Sequence, residues 1–260
     1  MKKKHQIESL NNKSSWNKAG KIFRKDEHRK WMSNLPKNLF SCLDDRLRLE
    51  LKKSNISKKN IAHLACNNGR EILSIKKMGA ADCVGFDFSK EFISQANELN
   101  KKCESGCVFV ESNITKIPSR YNDFFDIAII TVGTLVWIDN LEELFKTVNK
   151  ILKKDGILII EELHPLLFTL GSSKDTESSY FSKKTIADNE ALHYLGDKYK
   201  KIGKFYMYQY TISDLLNSLI ESNFRIKKFY ESKSDISIAY KQYENKINFP
   251  MNYFLVAQKN

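Results

Sequence analysis

The sequence lacks the long apolar runs and paired cysteines that would mark a membrane-spanning or disulfide-bonded protein. No stretch approaches the roughly 18 consecutive apolar residues that a membrane-spanning helix needs. The N-terminus, Met-Lys-Lys-Lys-His-Gln, has no apolar segment of a secretory signal. The five cysteines are an odd number without a Cys-x-x-Cys pair. We therefore expect reduced thiols in a cytoplasmic protein without a membrane partner or a metal site.

Arginine is also scarce, although the chain is basic. Only 7 of the 43 Lys and Arg residues are arginine, and the formal net charge is +12. The excess lies in residues 1–60, which hold 17 Lys and Arg against 6 Asp and Glu. Such a segment can contact RNA or an anionic substrate, yet base recognition in nucleic acids relies on arginine. A solvated lysine-rich surface explains the charge better, and a nucleic-acid partner stays open as the less favoured alternative.

Glycine is missing from a loop in which nucleotide-binding proteins usually have it. Residues 61–64 are apolar except for His63, and Ala-Cys-Asn-Asn-Gly-Arg-Glu follows at 65–71. A second apolar segment, residues 84–87, ends in Asp87, 18 residues beyond Gly69. This order predicts a strand, a loop, a helix and a second strand. At that spacing Asp87 can accept hydrogen bonds from the two hydroxyls of a ribose.

The missing glycines favour a cofactor without a pyrophosphate. A pyrophosphate-binding turn has three glycines, which let backbone N–H groups approach the phosphates closely. Here those places are taken by Ala65, Asn67 and either Asn68 or Gly69. The loop therefore favours S-adenosylmethionine over NAD or FAD. A nicotinamide-dependent reductase, and an ordinary strand-loop-helix that binds nothing, are the alternatives.

Strands and helices alternate along the next part of the chain. Residues 124–130 are a nearly continuous apolar run, typical of a strand buried on both faces, and residues 157–160 are another. Between them, apolar residues recur at three- and four-residue steps over 141–152, which predicts an amphipathic helix. The alternation predicts an α/β fold with a doubly wound, mostly parallel sheet. Ligands collect at the carboxyl ends of such strands, so we expect the reacting centre beside residues 131–134.

These features resemble the class I S-adenosylmethionine-dependent methyltransferases of the bacterial small-molecule type over residues 56–162. The resemblance implies a Rossmann-like sheet of seven strands with an antiparallel C-terminal strand. Phe88 falls where the family packs adenine, and Asn113-Ile114 matches its pair after the third strand. His63 departs from the family, because an acidic residue usually stands there. The implied cofactor site comprises Ala65, Cys66, Asn67, Asn68, Gly69, Asp87, Phe88, Asn113, Ile114 and Val132.

Two regions outside this core are expected to cover the cofactor. Residues 1–55 are interpreted as a helical lid, with helices over 18–32 and 38–53, ahead of a methyltransferase domain over 56–260. Residues 163–210 are interpreted as an insertion after strand five, where the resembled enzymes place a substrate cap. Packing in the core is the alternative for each substrate-binding candidate in these regions. The candidates are His28, Trp31, Tyr180, His193 and Tyr208.

The predicted reaction is methyl transfer to a nitrogen or oxygen of a small, ring-containing molecule. In-line displacement needs positioning and exclusion of water, and a base if the nucleophile carries a proton. His164, just after strand five, is the candidate base, and a histidine that only bonds the cap is its alternative. Two other functions stay open: an RNA methyltransferase that uses the basic N-terminus, and a non-catalytic S-adenosylmethionine-binding regulator. The chain is expected to be a monomer or a homodimer.

Overall fold

A seven-stranded sheet forms the centre of the protein, in a computed structural model that describes residues 2–37, 40–170, 179–246 and 248–260. Its strands are β1 (Ile61–Leu64), β2 (Cys83–Asp87), β3 (Val108–Glu111), β4 (Phe125–Ile130), β5 (Leu152–Leu163), β8 (Phe224–Ser232) and β9 (Asn252–Lys259). Two further strands, β6 (Ile186–Asp188) and β7 (Phe205–Met207), pair with each other as a small separate sheet. The strand order of the large sheet is β3-β2-β1-β4-β5-β9-β8, and only β9 runs antiparallel to its neighbours. The predicted α/β, Rossmann-like sheet with an antiparallel C-terminal strand is confirmed.

The helices frame this sheet in chain order. They are α1 (Lys2–Phe23), α2 (Arg29–Asn34), α3 (Asp45–Lys53), α4 (Arg70–Lys77), α5 (Lys90–Cys103), α6 (Leu141–Ile151) and α7 (Ile212–Glu221). A π-helical segment, Arg24–His28, joins α1 to α2 without a break. Within the described residues, none of the helices combines the length and apolar character that crossing a membrane requires.

Helices cover both faces of the sheet, which explains its continuous apolar strands. Ala62 and Leu64 pack in one cluster with side chains of α6 and α7. Ile61 and Ile127 pack in the other cluster, with side chains of α3, α4 and α5. A strand that is buried on both faces has no polar side to expose, so its sequence shows no alternation.

The N-terminal helices differ from the prediction in where they begin. The first helical stretch starts at Lys2 and runs to Asn34, well beyond the predicted 18–32. The second begins only at Asp45, because the Asp44 side chain accepts a hydrogen bond from the Arg46 N–H at 2.7 Å and caps the helix there. The prediction of helix at residues 40–44 is therefore wrong, and residues 38 and 39 lie outside the described residues.

The N-terminal helix and the insertion after β5 pack on each other. The Asn12 side chain accepts a hydrogen bond from Tyr206 N–H and donates one to Tyr206 C=O, both at 2.8 Å. Residues 171–178 of the insertion lie outside the described residues. We call α1, the π-helical segment and α2, together with the described part of residues 163–210, the cover. Thr211 caps α7, which follows the insertion, in a reciprocal capping box with Asp214.

Candidate functional site

The loop between β1 and α4 adopts left-handed backbone at each of its three glycine places. The φ angle is 53° at Ala65, 50° at Asn67 and 77° at Gly69, which settles the third place as Gly69. Asn tolerates this conformation better than other residues with a side chain, whereas Ala is strained in it. A Cβ on Gly69 would also lie 2.5 Å from the Phe109 ring. The loop therefore keeps the course of a glycine-rich turn although only one glycine remains.

Asp87, the last residue of β2, binds this loop through its carboxylate. Its Oδ2 accepts a hydrogen bond from Asn67 N–H at 2.9 Å, and its Oδ1 accepts one from Ser89 N–H at 2.8 Å. The residue is only 6% exposed, and burial raises the pKa of the carboxyl to about 6. Each carboxylate oxygen can accept a further bond. Asp87 thus shapes the loop and can still receive ribose hydroxyls.

A cleft with a volume of about 1410 Å³ opens above this loop, at the carboxyl ends of the central strands. Its walls come from the loop after β1, the ends of β2 and β4, the cover, and residues 235–243 between β8 and β9. Pockets for one drug-sized ligand usually measure about 300–1,000 Å³. The cleft therefore has room for a nucleoside cofactor and a second small molecule.

About half of the candidate residues line this cleft. The predicted residues in its walls are Ala65, Cys66, Asn67, Asp87, Phe88, Val132, Trp31 and His193. The predicted residues outside its walls are Asn68, Gly69, Asn113, Ile114, His28, His164, Tyr180 and Tyr208. Among the latter, Ile114 packs in the core beneath the sheet end.

The side-chain oxygen of Asn113 is already in use. It accepts hydrogen bonds from the backbone N–H of Thr115 at 2.9 Å and from the Thr115 hydroxyl at 3.2 Å. Its exposed amide –NH₂ is the group left for a ligand. Since an –NH₂ donates and does not accept, the free group of Asn113 cannot accept a hydrogen bond from the amino group of adenine.

His164 also lies outside the cleft walls, and both of its ring nitrogens are engaged. Nδ1 accepts a hydrogen bond from Leu166 N–H at 3.2 Å, so Nε2 carries the proton that faces Glu231 Oε1 at 2.9 Å. A base needs a free lone pair near the nucleophile, and this histidine has none. The geometry favours the alternative, in which His164 bonds neighbouring chain segments.

Three other candidates make contacts that join segments of the fold. The Tyr180 hydroxyl accepts a hydrogen bond from Ile212 N–H at 2.8 Å, at the start of α7. The Tyr208 hydroxyl donates to Glu8 at 2.8 Å, and His28 Nε2 contacts Glu98 at 2.9 Å. The Tyr180 and His28 contacts tie the cover to the rest of the protein, and the Tyr208 contact joins two parts of the cover. None of the three residues is in the cleft wall.

His63 is buried at the end of β1 in a neutral form. Its Nε2 lies 3.0 Å from the Thr131 hydroxyl, and burial lowers its pKa to about 4. Its Nδ1 has no hydrogen-bond partner among the described residues, and neither has the buried Nε1 of Trp31. Both residues line the cleft. Unpaired buried polar atoms are costly, so these two fit a cleft that receives a ligand with polar groups.

Glu162, at the end of β5, shapes the opposite side of the cleft. Its carboxylate accepts hydrogen bonds from the backbone N–H groups of Gly133 and Thr134 at 2.7 Å and of Leu135 at 3.0 Å. This anion fixes the backbone turn after β4, which carries Val132 into the cleft wall. Its bonds are made to the protein itself, so Glu162 is a positioning residue.

Several cleft residues have little or no signal in the sequence. Arg70 and Glu71 directly follow the loop, and their place in the first turn of α4 could have pointed to them. Tyr240 and Tyr243 enter the cleft from the connection between β8 and β9, more than 150 residues from the loop. Their contribution depends on how β8 and β9 join the sheet, and no local pattern indicates it.

Comparison with known proteins shows which proteins this chain is similar to. Residues 62–160 match the profile of a family described as "Methyltransferase domain". A solved S-adenosylmethionine-dependent methyltransferase from Clostridium acetobutylicum aligns with 94% of this chain and 99% of that chain, at 15% identity and a TM-score of 0.63. Another from Mesorhizobium loti aligns with 78% of this chain and 92% of that chain, at 19% identity and a TM-score of 0.57.

A curated relative, the tRNA U34 carboxymethyltransferase of Sulfurimonas denitrificans, is 26% identical over 134 residues. That match covers 52% of this chain and 41% of the relative. Residues 62–160 therefore match a methyltransferase domain, and the chain shares the fold of solved S-adenosylmethionine-dependent methyltransferases.

The strained loop leads to a stability prediction. Ala65→Gly should raise the free energy of unfolding by about 1 kcal/mol, because relief of the left-handed strain outweighs the added freedom of the unfolded chain. Urea unfolding measures it. Ala62→Gly is the control: it lies within β1, where glycine should destabilise. Equal losses of stability in both variants would contradict the interpretation of the loop.

Proposed function

We propose that this protein transfers the methyl group of S-adenosylmethionine to a nitrogen or oxygen of a small, ring-containing molecule. The observation that carries the proposal is the shared cleft, in which the cofactor loop and Asp87 form one part of the wall and aromatic side chains form much of the rest. Such a cleft can hold both reactants within contact distance and keep water out, which is what in-line displacement requires.

The loop end of the cleft suits the nucleoside part of the cofactor. The Asp87 carboxylate can accept hydrogen bonds from ribose hydroxyls, and Phe88 beside it offers an apolar surface to adenine. When bound, S-adenosylmethionine supplies a methyl group on a positively charged sulfur, ready for displacement by a nucleophile. Val132, 37% exposed at the end of β4, faces the space between this end and the aromatic end.

The other end of the cleft suits a planar acceptor. The Trp16 and Trp137 rings lie 5.3 Å apart, edge to face, on the cover side. Aromatic faces bind rings by stacking and attract cations such as a sulfonium or an ammonium. The aromatic residues in this part of the wall are Trp16, Trp137, Phe168, Tyr194, Tyr199, Tyr240 and Tyr243.

His193 is the candidate proton acceptor that the cleft offers. Its Nδ1 lies 2.9 Å from the backbone carbonyl of Glu190. A carbonyl oxygen only accepts, so Nδ1 carries the ring proton and Nε2 keeps its lone pair. The residue is exposed and lines the cleft, so that lone pair can take a proton from an amine, a phenol or a hydroxyl.

An RNA acceptor is the second candidate, favoured by the printed name of the tRNA-modifying relative and by the basic first 60 residues. Against it, part of that charge is neutralised within the fold, as in the ion pair between Lys13 and Glu111 at 2.7 Å. The match to that relative also covers less than half of its length. We therefore place the small-molecule acceptor first.

The buried carboxyl of Asp87 makes cofactor binding dependent on pH. Ribose hydroxyls donate to the ionised form, whose pKa is raised to about 6 in the free protein. Affinity for S-adenosylhomocysteine should therefore rise as the pH increases from about 5 to 7 and then level off. Titration calorimetry at several pH values measures it. Asp87→Asn should bind more weakly without this dependence, and an unchanged profile in that variant would refute the ribose role.

The class of the acceptor can be found by label transfer. The protein should transfer label from methyl-labelled S-adenosylmethionine into the low-molecular-weight fraction of a cell extract. A label found only in RNA that ribonuclease releases would favour the second candidate. Binding of the cofactor with no label in any fraction would favour a non-catalytic regulator. Asp87→Ala serves as the control for background transfer.

The role of His193 predicts a specific defect. With the labelled fraction as acceptor, His193→Gln should reduce turnover roughly 100-fold, the lower range for loss of a general base, and leave the affinity for S-adenosylhomocysteine unchanged. His5→Gln is the control, since His5 contacts Glu8 and Asp139 and is not in the cleft wall. A His193 variant with full turnover at neutral pH would rule out the role.

A further inference from the structure

The neutral His63 raises a question about the amino-acid end of the cofactor. S-adenosylmethionine carries an ammonium and a carboxylate on its methionine chain. At the end of β1, where the resembled enzymes have an acid, His63 is uncharged at neutral pH and bonds to Thr131. It therefore offers no negative charge to an ammonium. Another residue has to supply that charge, and this inference rests on the proposed function.

Glu71 is an acid that reaches the same end of the cleft. It lies in the first turn of α4, two residues beyond Gly69, and lines the cleft together with His63. Its side chain is 15% exposed. Its Oε1 accepts a hydrogen bond from Arg70 Nε at 2.7 Å, and no second side-chain donor reaches the carboxylate among the described residues. The other carboxylate oxygen, Oε2, is thus available to a ligand in the cleft.

Glu71 stays ionised despite its burial. Burial acts to raise the pKa of its carboxyl, but the neighbouring Arg70 guanidinium outweighs it and brings that pKa below its ordinary value. Burial keeps His63 neutral. Glu71 and His63 line the same cleft.

Arg70, beside Glu71, offers hydrogen-bond donors to an anion. Its guanidinium lies over the Trp31 ring, 4.9 Å from the ring centroid, and Trp31 is itself a wall of the cleft. Only its Nε is bonded to Glu71, so the two terminal nitrogens have no hydrogen-bond partner among the described residues. A guanidinium held flat in this way can bind a carboxylate with two parallel bonds.

Other acids in the cleft wall are less suited to the ammonium. Asp26 pairs with Lys198 at 2.5 Å, and Glu27 pairs with Lys30 at 2.7 Å, both on the cover. Asp87 already bonds two backbone N–H groups at the ribose end. Glu71 combines a neighbouring cation with burial and a place in the helix that directly follows the cofactor loop.

We propose that Glu71 and Arg70 bind the amino-acid end of S-adenosylmethionine, with Glu71 accepting hydrogen bonds from the ammonium and Arg70 donating to the carboxylate. The acidic function that the family usually places at the end of β1 is thus moved to the first turn of α4. His63 is then a neutral neighbour, and its contact with the Thr131 hydroxyl fixes the orientation of its ring.

The test compares two ligands that differ in the amino-acid part. S-adenosylhomocysteine carries it, and 5′-methylthioadenosine lacks it. By titration calorimetry, Glu71→Gln should weaken S-adenosylhomocysteine roughly 10- to 100-fold, as expected for loss of a charged hydrogen bond. Binding of 5′-methylthioadenosine should not change. Glu50→Gln is the matched control and should affect neither ligand, because Glu50 is another largely buried glutamate with a cationic partner, Lys228, and lies outside the cleft wall.

The outcomes separate this inference from the proposed function. If the unaltered protein fails to bind S-adenosylhomocysteine, the proposed function fails. If it binds and Glu71→Gln binds equally well, only the role of Glu71 fails. If both ligands bound equally more weakly, Glu71 would act by shaping the cofactor loop, and its role at the ammonium would be overturned.

A second comparison keeps the test independent of folding. An S-adenosylhomocysteine analogue in which hydrogen replaces the α-amino group should bind the unaltered protein about as weakly as S-adenosylhomocysteine binds Glu71→Gln. In the Gln variant, the two ligands should bind alike. If Glu71→Gln still showed the full difference in affinity between S-adenosylhomocysteine and the analogue, the ammonium would be bound elsewhere. Glu71→Asp, which keeps the charge, should retain part of the affinity if the Gln variant does not fold.

Discussion

The Asp87 carboxylate is the interaction on which the cleft depends. It accepts N–H bonds from Asn67 in the loop after β1 and from Ser89 at the cap of α5. The Ser89 hydroxyl in turn donates to the Asn17 side chain of α1 at 2.9 Å. One buried anion at the end of β2 thereby links the cofactor loop, a sheet-covering helix and the cover. The raised pKa of Asp87 reflects the free-energy cost of burying its charge where ribose hydroxyls can reach it.

The cover is attached to this centre by polar contacts at separate points. Gln95 of α5 donates to the Gly20 carbonyl at 2.8 Å, and Arg24 pairs with Glu91 and Glu98. The π-helical segment begins at Arg24, and π-helical turns often occur at functional sites. In this chain the segment carries Asp26 and Glu27 into the cleft wall. The cover thus contributes to the site, and it is also joined to α5 by the packing of the Trp16 and Phe23 rings on Phe92.

The sheet could be predicted from the sequence because its signal is local, whereas the site depends partly on distant contacts. Apolar strands of the right length and the acid ending β2 are visible in a short window, and Asp87, Phe88 and Val132 reach the cleft wall as expected. His164 could not be judged in this way, since its partner Glu231 lies 67 residues further along the chain. The start of α1 was missed because its lysine-rich sequence has no strong apolar stripe.

The neutral His63 at the end of β1 and the ionised Glu71 at the start of α4 are consistent with each other. If an aspartate or glutamate stood at residue 63, it would add a second negative charge to the cleft wall that Glu71 also lines, and like charges in a buried space raise each other's pKa. A neutral imidazole bonded to Thr131 removes that repulsion and leaves Glu71 ionised beside Arg70. The change at the end of β1 is therefore consistent with a retained charge that reaches the cleft from another element. A departure from the family motif at one residue is best interpreted together with the side chains that surround it.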